Sequence, residues 1–274
     1  ANPNTQPAAI SFYFTDTAGR DFGHGSTIVS ADAQIARFLS EVPFNSVPFT
    51  GSMTFTASIP VSAIAFRTFV NERSEFLFTA LPVLDLLAPT DQAAIIPRFL
   101  DGGGWTTHIV LLNPAEETIR GSIQFRGQAN DVSDFPYTIP PHASFHFRSP
   151  GMGTSARSGF VRIITSAVRP LGFALISLAN SNVTICETQI PATQPSTALR
   201  LYVEQSPGLE TGVAIANPSD RTVAATLSLL TLSGEPVEGN TTLSIPANGQ
   251  TTVFLDQIPE LSIPPGTLFQ SVSM

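Results

Sequence analysis

Two histidines four residues apart, His142 and His146, are the first place where side-chain chemistry is conceivable. On a helix that spacing supplies half of a zinc site. Here the pair follows Pro140-Pro141 and enters Ser144-Phe145-His146-Phe147, whose alternation predicts a strand. Phe145 and Phe147 take its inner face, so His146 faces solvent with Ser144 and Arg148. No cysteine or third histidine stands at ligand spacing. The expectation is a pair of surface histidines and no metal.

Other short motifs carry less. His24-Gly25-Ser26 and Gly151-Met152-Gly153-Thr154-Ser155 hint at a serine hydrolase, but neither is Gly-x-Ser-x-Gly on a strand-turn-helix elbow, and both read as turns. Asp101-Gly102-Gly103-Gly104 offers calcium a single carboxylate and reads as a hairpin turn. Glu72, Arg73 and Glu75 form a solvated hairpin tip. Cys186 is the only cysteine; it lies in an apolar run and is expected to be a small buried side chain. Trp105, Tyr137 and Tyr202, with Phe135 nearby, are a candidate ligand platform, because amphipathic rings stack on sugars at binding surfaces. The competing reading places these rings in a core. No catalytic, cofactor-binding or metal residue is predicted, and no cofactor.

The elements that must carry these residues are strands. Ile10, Phe12 and Phe14 alternate with polar neighbours, the signature of a half-buried strand. Further strands are predicted at 52–56, 63–69 and 76–79. After a boundary at 84–94, seven more follow between Ile95 and Cys186, with a polar loop around Asn130 and Asp134. Residues 31–43 are ambiguous: Ile35, Phe38, Leu39 and Val42 have helical spacing. The segment also matches Gln250–Ile258 position by position, and that copy is rich in Thr and Val. A strand to about Leu39 or Leu255, then one helical turn, is the reading taken.

The match is one of several. The apolar run Thr107-His108-Ile109-Val110-Leu111-Leu112 ending at Asn113-Pro114 returns as Thr211-Gly212-Val213-Ala214-Ile215-Ala216 ending at Asn217-Pro218, and the chain opens on Ala1-Asn2-Pro3. Recurrence at this period marks repeated modules. The expected division is 1–90, a partial β-sandwich repeat lacking its first two strands; 91–197, a complete seven-stranded repeat; and 198–274, a partial repeat lacking its last two. Seven strands in about a hundred residues is the size of an immunoglobulin-like sandwich. The outer repeats are expected to leave strand edges open and to self-associate through them.

The series from Phe99 to Thr107, with Leu112-Asn113-Pro114, Ser244–Gln250 with Phe254-Leu255, and Asn71–Leu77, resembles uncharacterised tandem repeats of large bacterial secreted or cell-surface proteins. The resemblance covers nearly the whole chain and implies an extracellular β-sandwich array with no assigned activity. Unit three departs from it at Gln205–Leu209, where unit two has three glycines and Trp105.

Composition bounds the function. All 13 basic residues are arginine, 21 are acidic, and the net charge is −8. An acidic chain without a basic cluster argues against nucleic acid and anionic membrane surfaces. Charged residues are 12% of the chain, against about 25% in ordinary soluble domains. No apolar run approaches the roughly 18 residues that a spanning helix needs. The expected function is a non-enzymatic structural or adhesive segment of a bacterial extracellular protein, its partners being neighbouring repeats and a surface glycan or protein. Two alternatives stand beside it: a carbohydrate- or surface-binding module, and an accessory region of a secreted enzyme.

Overall fold

A computed structural model describes residues 1–87, 94–127, 132–166, 168–231, 233–261 and 268–273; the side chains of Glu238 and of 268–273 lie outside the description. The architecture is all-β. Among the described residues the only helical elements are two single 3-10 turns, Leu255–Gln257 and Pro259–Leu261.

Period-two burial builds the first part. β1 (Ala8–Asp16) turns Ala8, Ile10, Phe12 and Phe14 inward, between β2 (Asp21–Val29) and β3 (Gly51–Ala57), in the order β2-β1-β3. Phe44 packs edge-on against Phe12 and Phe49 against Phe14, so the 40–50 loop covers that face. Residues 34–39 are not a strand. The segment they align with, Gln250–Phe254, pairs with Gly212–Ala216; 34–39 is paired with no strand among the described residues, and without a ladder it is irregular backbone that enters a turn at Leu39. The turn chemistry survives: Phe38 N–H donates to the Glu41 carboxylate as Phe254 N–H donates to the Gln257 side chain. β4 (Ala65–Val70) and β5 (Phe76–Leu81) form a separate hairpin.

Among the described residues the middle part holds eight strands. β6 (Ala94–Asp101), β11 (Arg157–Thr165), β8 (Ile119–Gly127) and β9 (Val132–Ile139) form one sheet in that order. β10 (Ser144–Arg148), β7 (Trp105–Leu112), β12 (Leu171–Asn180) and β13 (Val183–Pro191) form the other. The two enclose one core, including Ile96 and Phe99 from β6, Ile109 and Leu111 from β7, Ile123 from β8 and Ile163 from β11.

The predicted polar loop around Asp134 is therefore β9, and the strand count rises from seven to eight; Asn130 lies outside the described residues. Asp134 and Pro136 disguise the strand, yet Tyr137 and Ile139 alternate inward. β9 is at the sheet edge, where a proline breaks no ladder. The pairing order also corrects the immunoglobulin expectation. There the second strand pairs with the first and fifth. Here the second, β7, lies between the fifth and seventh, β10 and β12. The face that a strand residue takes is legible in a sequence; which strands become neighbours is not.

In the last part β14 (Arg200–Glu204), β19 (Leu268–Ser273), β16 (Val223–Thr231) and β17 (Pro236–Ile245) form a four-stranded sheet in that order. β15 (Gly212–Ala216) pairs with β18 (Gln250–Phe254). Val203, Val213, Leu227, Leu229 and Leu255 fill the core between them.

Asn2, Asn113 and Asn217 are all buried and make the same bonds. Each carboxamide NH2 donates to the carbonyl four residues on, Gln6, Glu117 or Arg221. It also donates to two carbonyls at the end of a distant strand: Val29 and Ser30, Ile139 and Pro140, or Ile245 and Pro246. Each Oδ1 accepts the N–H two residues on. An amide with two donors and one acceptor carbonyl is the side chain such a corner needs.

Candidate functional site

β7 and β10 pair antiparallel with Val110 opposite His146 and His108 opposite Arg148. Ile109, Leu111, Phe145 and Phe147 occupy the core face. Alternation then places His108, Ser144, His146 and Arg148 together on the outer face. His108 Nε2 lies 3.2 Å from His146 Nδ1. The other ring nitrogen of His146, Nε2, lies 2.8 Å from Ser144 Oγ.

The β4–β5 hairpin docks beside this face. Arg67 of β4 forms an ion pair with Glu187 of β13. Thr79 of β5 donates to the Glu187 carbonyl at 3.2 Å, and Ser177 of β12 donates to the Glu187 carboxylate at 3.0 Å. The hairpin tip is tied down rather than freely solvated: Asn71 donates to the Thr184 carbonyl at 2.9 Å, and the Glu72 carboxylate accepts the Thr184 N–H at 2.9 Å. Phe66, Val70, Phe76 and Phe78 form the hairpin's opposite, exposed face.

Burial, then His146, Arg148 and Arg67, pushes the His108 imidazolium down to about 4. Burial also lowers His146. Both rings are held neutral at physiological pH. Ser144, His146 and His108 follow the order of a nucleophile, its base and an orienting group, but a working triad has a carboxylate to stabilise the imidazolium. Arg67 and Arg148 disfavour charge on His108, the ring that stands in the orienting position.

His142 stands apart from His146, with its Nε2 3.1 Å from the Glu116 carboxylate. The partner that the sequence reading missed is His108. Its signal was the alternation of Thr107–Leu112 beside that of Ser144–Phe147, but it needs the β7–β10 register to be seen.

The aromatic platform does not assemble. Tyr137 is 3% exposed and donates its hydroxyl to the Ile164 carbonyl at 2.7 Å. Trp105 is half-buried at the start of β7, opposite Leu178. Tyr202 is 59% exposed on β14, in a different sheet, with its hydroxyl 3.2 Å from Glu204. A ring in a core has no face to offer a ligand, so Tyr137 leaves the set.

Two further expectations change. His24-Gly25-Ser26 is not a turn but part of β2; His24 pairs across from Tyr13 and lines a shallow depression of about 390 Å³ with Ser11, Ser26 and Thr56. Cys186 is exposed, on the outermost strand of its sheet. The Asp101-Gly102-Gly103-Gly104 hairpin turn joins β6 to β7; Asp101, the last residue of β6, is buried, and its carboxylate accepts the Gly151 N–H at 2.8 Å and pairs with Arg157 at 3.1 Å. Among the described residues no three His, Cys, Asp or Glu side chains converge as a metal site.

No protein-family model and no curated protein matches the chain. Among solved structures, "Crystal Structure of Thermotoga maritima 1070" is matched at 13% identity and a TM-score of 0.33, over 38% of this chain and 94% of that one.

Proposed function

We propose that this chain is a non-enzymatic segment of tandem β-sandwich modules from a bacterial extracellular or cell-surface protein, and that it holds neighbouring modules at a fixed spacing. The observation that carries the reading is the asparagine corner, built three times with the same donors and acceptors at Asn2, Asn113 and Asn217. A second repeated device supports it. Thr107 Oγ donates to the Leu100 carbonyl and accepts the Leu100 N–H; Thr211 does the same at Glu204. The strand order β14-β19-β16-β17 also parallels β6-β11-β8-β9.

Spacing requires junctions that resist bending. Between the first and middle modules stand the Arg67–Glu187 pair and a backbone bond from Ser144 N–H to the Thr17 carbonyl at 3.2 Å. Between the middle and last modules, Arg162 donates to the Pro218 carbonyl and to Asn248 Oδ1, and Gln250 donates to the Pro97 carbonyl. The low charge and absence of lysine support the extracellular setting. No helix among the described residues is long and apolar enough to cross a membrane. A glycan-binding role has less support, since Tyr202 is the one ring of the candidate platform that is mostly exposed.

Rotational diffusion from 15N relaxation tests this. A stiff array tumbles as one elongated body, and R162A with Q250A frees the last module to move separately. Independent motion of the modules in the unaltered chain would defeat the proposal.

A further inference from the structure

We propose that His108 and His146 together bind a divalent transition-metal ion, of the Zn²⁺, Ni²⁺ or Cu²⁺ class, through His108 Nε2 and His146 Nδ1. The site lies outside the spacing role and does not depend on it.

Geometry comes first. Two imidazole nitrogens bound to one tetrahedral zinc, each at about 2.0–2.1 Å, stand about 3.3 Å apart. His108 Nε2 and His146 Nδ1 stand 3.2 Å apart and face one another. The spacing is set by backbone: both rings rise from the outer face of a paired β7–β10 ladder, whose inner face is anchored by Ile109, Leu111, Phe145 and Phe147. Little movement separates the hydrogen-bonded pair from a chelating one.

The second shell comes next. Metal-bound histidines are held in one tautomer by a bond from the other ring nitrogen. Ser144 Oγ lies 2.8 Å from His146 Nε2. When that nitrogen carries the proton, Nδ1 presents a bare lone pair. In the metal-free pair, His108 Nε2–H then donates to this lone pair. Metal entry moves the His108 proton from Nε2 to Nδ1 through solvent, so no net proton is lost.

Ion choice follows from the donors. Two imidazoles suit zinc, nickel and copper, whereas calcium and magnesium demand oxygen ligands. With no third side chain converging among the described residues, water or an incoming ligand completes the coordination. Arg148 and Arg67 oppose an added cation, and Glu187 offsets Arg67 through their ion pair. The site is therefore weaker than a structural zinc centre and open on one side.

Calorimetric titration of the full chain with Zn²⁺, Ni²⁺ and Cu²⁺ chlorides, followed by imidazole 15N shifts, tests the assignment. One equivalent should bind, with shifts confined to His108 and His146. H108A and H146A should each weaken binding at least tenfold, and H24A with H142A should leave it unchanged. H108Q, which keeps a polar side chain on the strand, serves if H108A does not fold. No one-to-one binding by the unaltered chain, shifts at His24 or His142 instead, or full affinity in a folded His108 or His146 variant overturns the proposal.

Discussion

Asn113 Nδ2 donates to the Ile139 carbonyl at 2.9 Å and thereby ties the end of β7 to the end of β9, in the facing sheet. Ile139 is the last residue of β9, opposite Ile119 in the ladder, and the bond joins the two sheets at that end. Buried carbonyls without donors are costly, so the corner should fail sharply when its amide is removed.

Asn113→Ala should destabilise the middle part by about 2–4 kcal/mol, because three carbonyls lose a donor and that of Ile139 is buried at a strand end. Asn113→Asp should be worse at neutral pH, since a carboxylate repels the same oxygens. Urea unfolding followed at Trp105 reads both; equal stability of Asp and Ala variants would show that donor chemistry is not what the corner needs.

Acid should weaken the fold through His108. Its folded value is about 4 against an ordinary 6.5, because of burial first and then His146, Arg148 and Arg67. Between those values the unfolded chain binds more protons. The contribution is thus complete above about pH 6.5 and is lost as pH falls toward 4. Its size is on the order of 1–2 kcal/mol, less than the unscreened shift implies, because the ring is only half-buried. His146 adds in the same direction. H108Q should flatten the dependence of the urea midpoint on pH over this window, and an undiminished slope would place the titrating group elsewhere.

Glu187→Gln should loosen the β4–β5 hairpin without unfolding its neighbours. Arg67 then faces an amide in place of its counter-charge. Amide hydrogen exchange in β4 and β5 should quicken about fivefold, equal to about 1 kcal/mol of local opening, while β7 and β12 keep their protection. Faster exchange throughout would mean that the residue serves the core rather than the junction.

Tyr137 should be the last tyrosine to ionise. Burial raises its hydroxyl to about 12, with the Thr165 side chain opposing. Y137F should remove that step from an ultraviolet pH titration and cost about 1 kcal/mol for the lost bond to Ile164. Gly121→Ala should cost more: its new Cβ would sit 2.0 Å from the Ile164 carbonyl oxygen and 2.5 Å from the Tyr137 hydroxyl. A normal tyrosine titration would contradict the buried placement.

The sequence by itself determined the all-β class of structure, because period-two alternation is a local signal. Ile10, Phe12 and Phe14 point inward as their spacing demands, and Phe145 and Phe147 leave His146 outside. Only the tertiary structure decided which strands meet. β9 was hidden by Asp134 and Pro136, residues that an edge strand tolerates. Residues 34–39 share a pattern with 250–255 but form irregular backbone, since a strand is stabilised by its neighbour's ladder. His108 and His146 are 38 residues apart in the chain and become partners through register alone. Alternation fixes which face a side chain takes; pairing across strands, which depends on distant chain segments, fixes what it touches there.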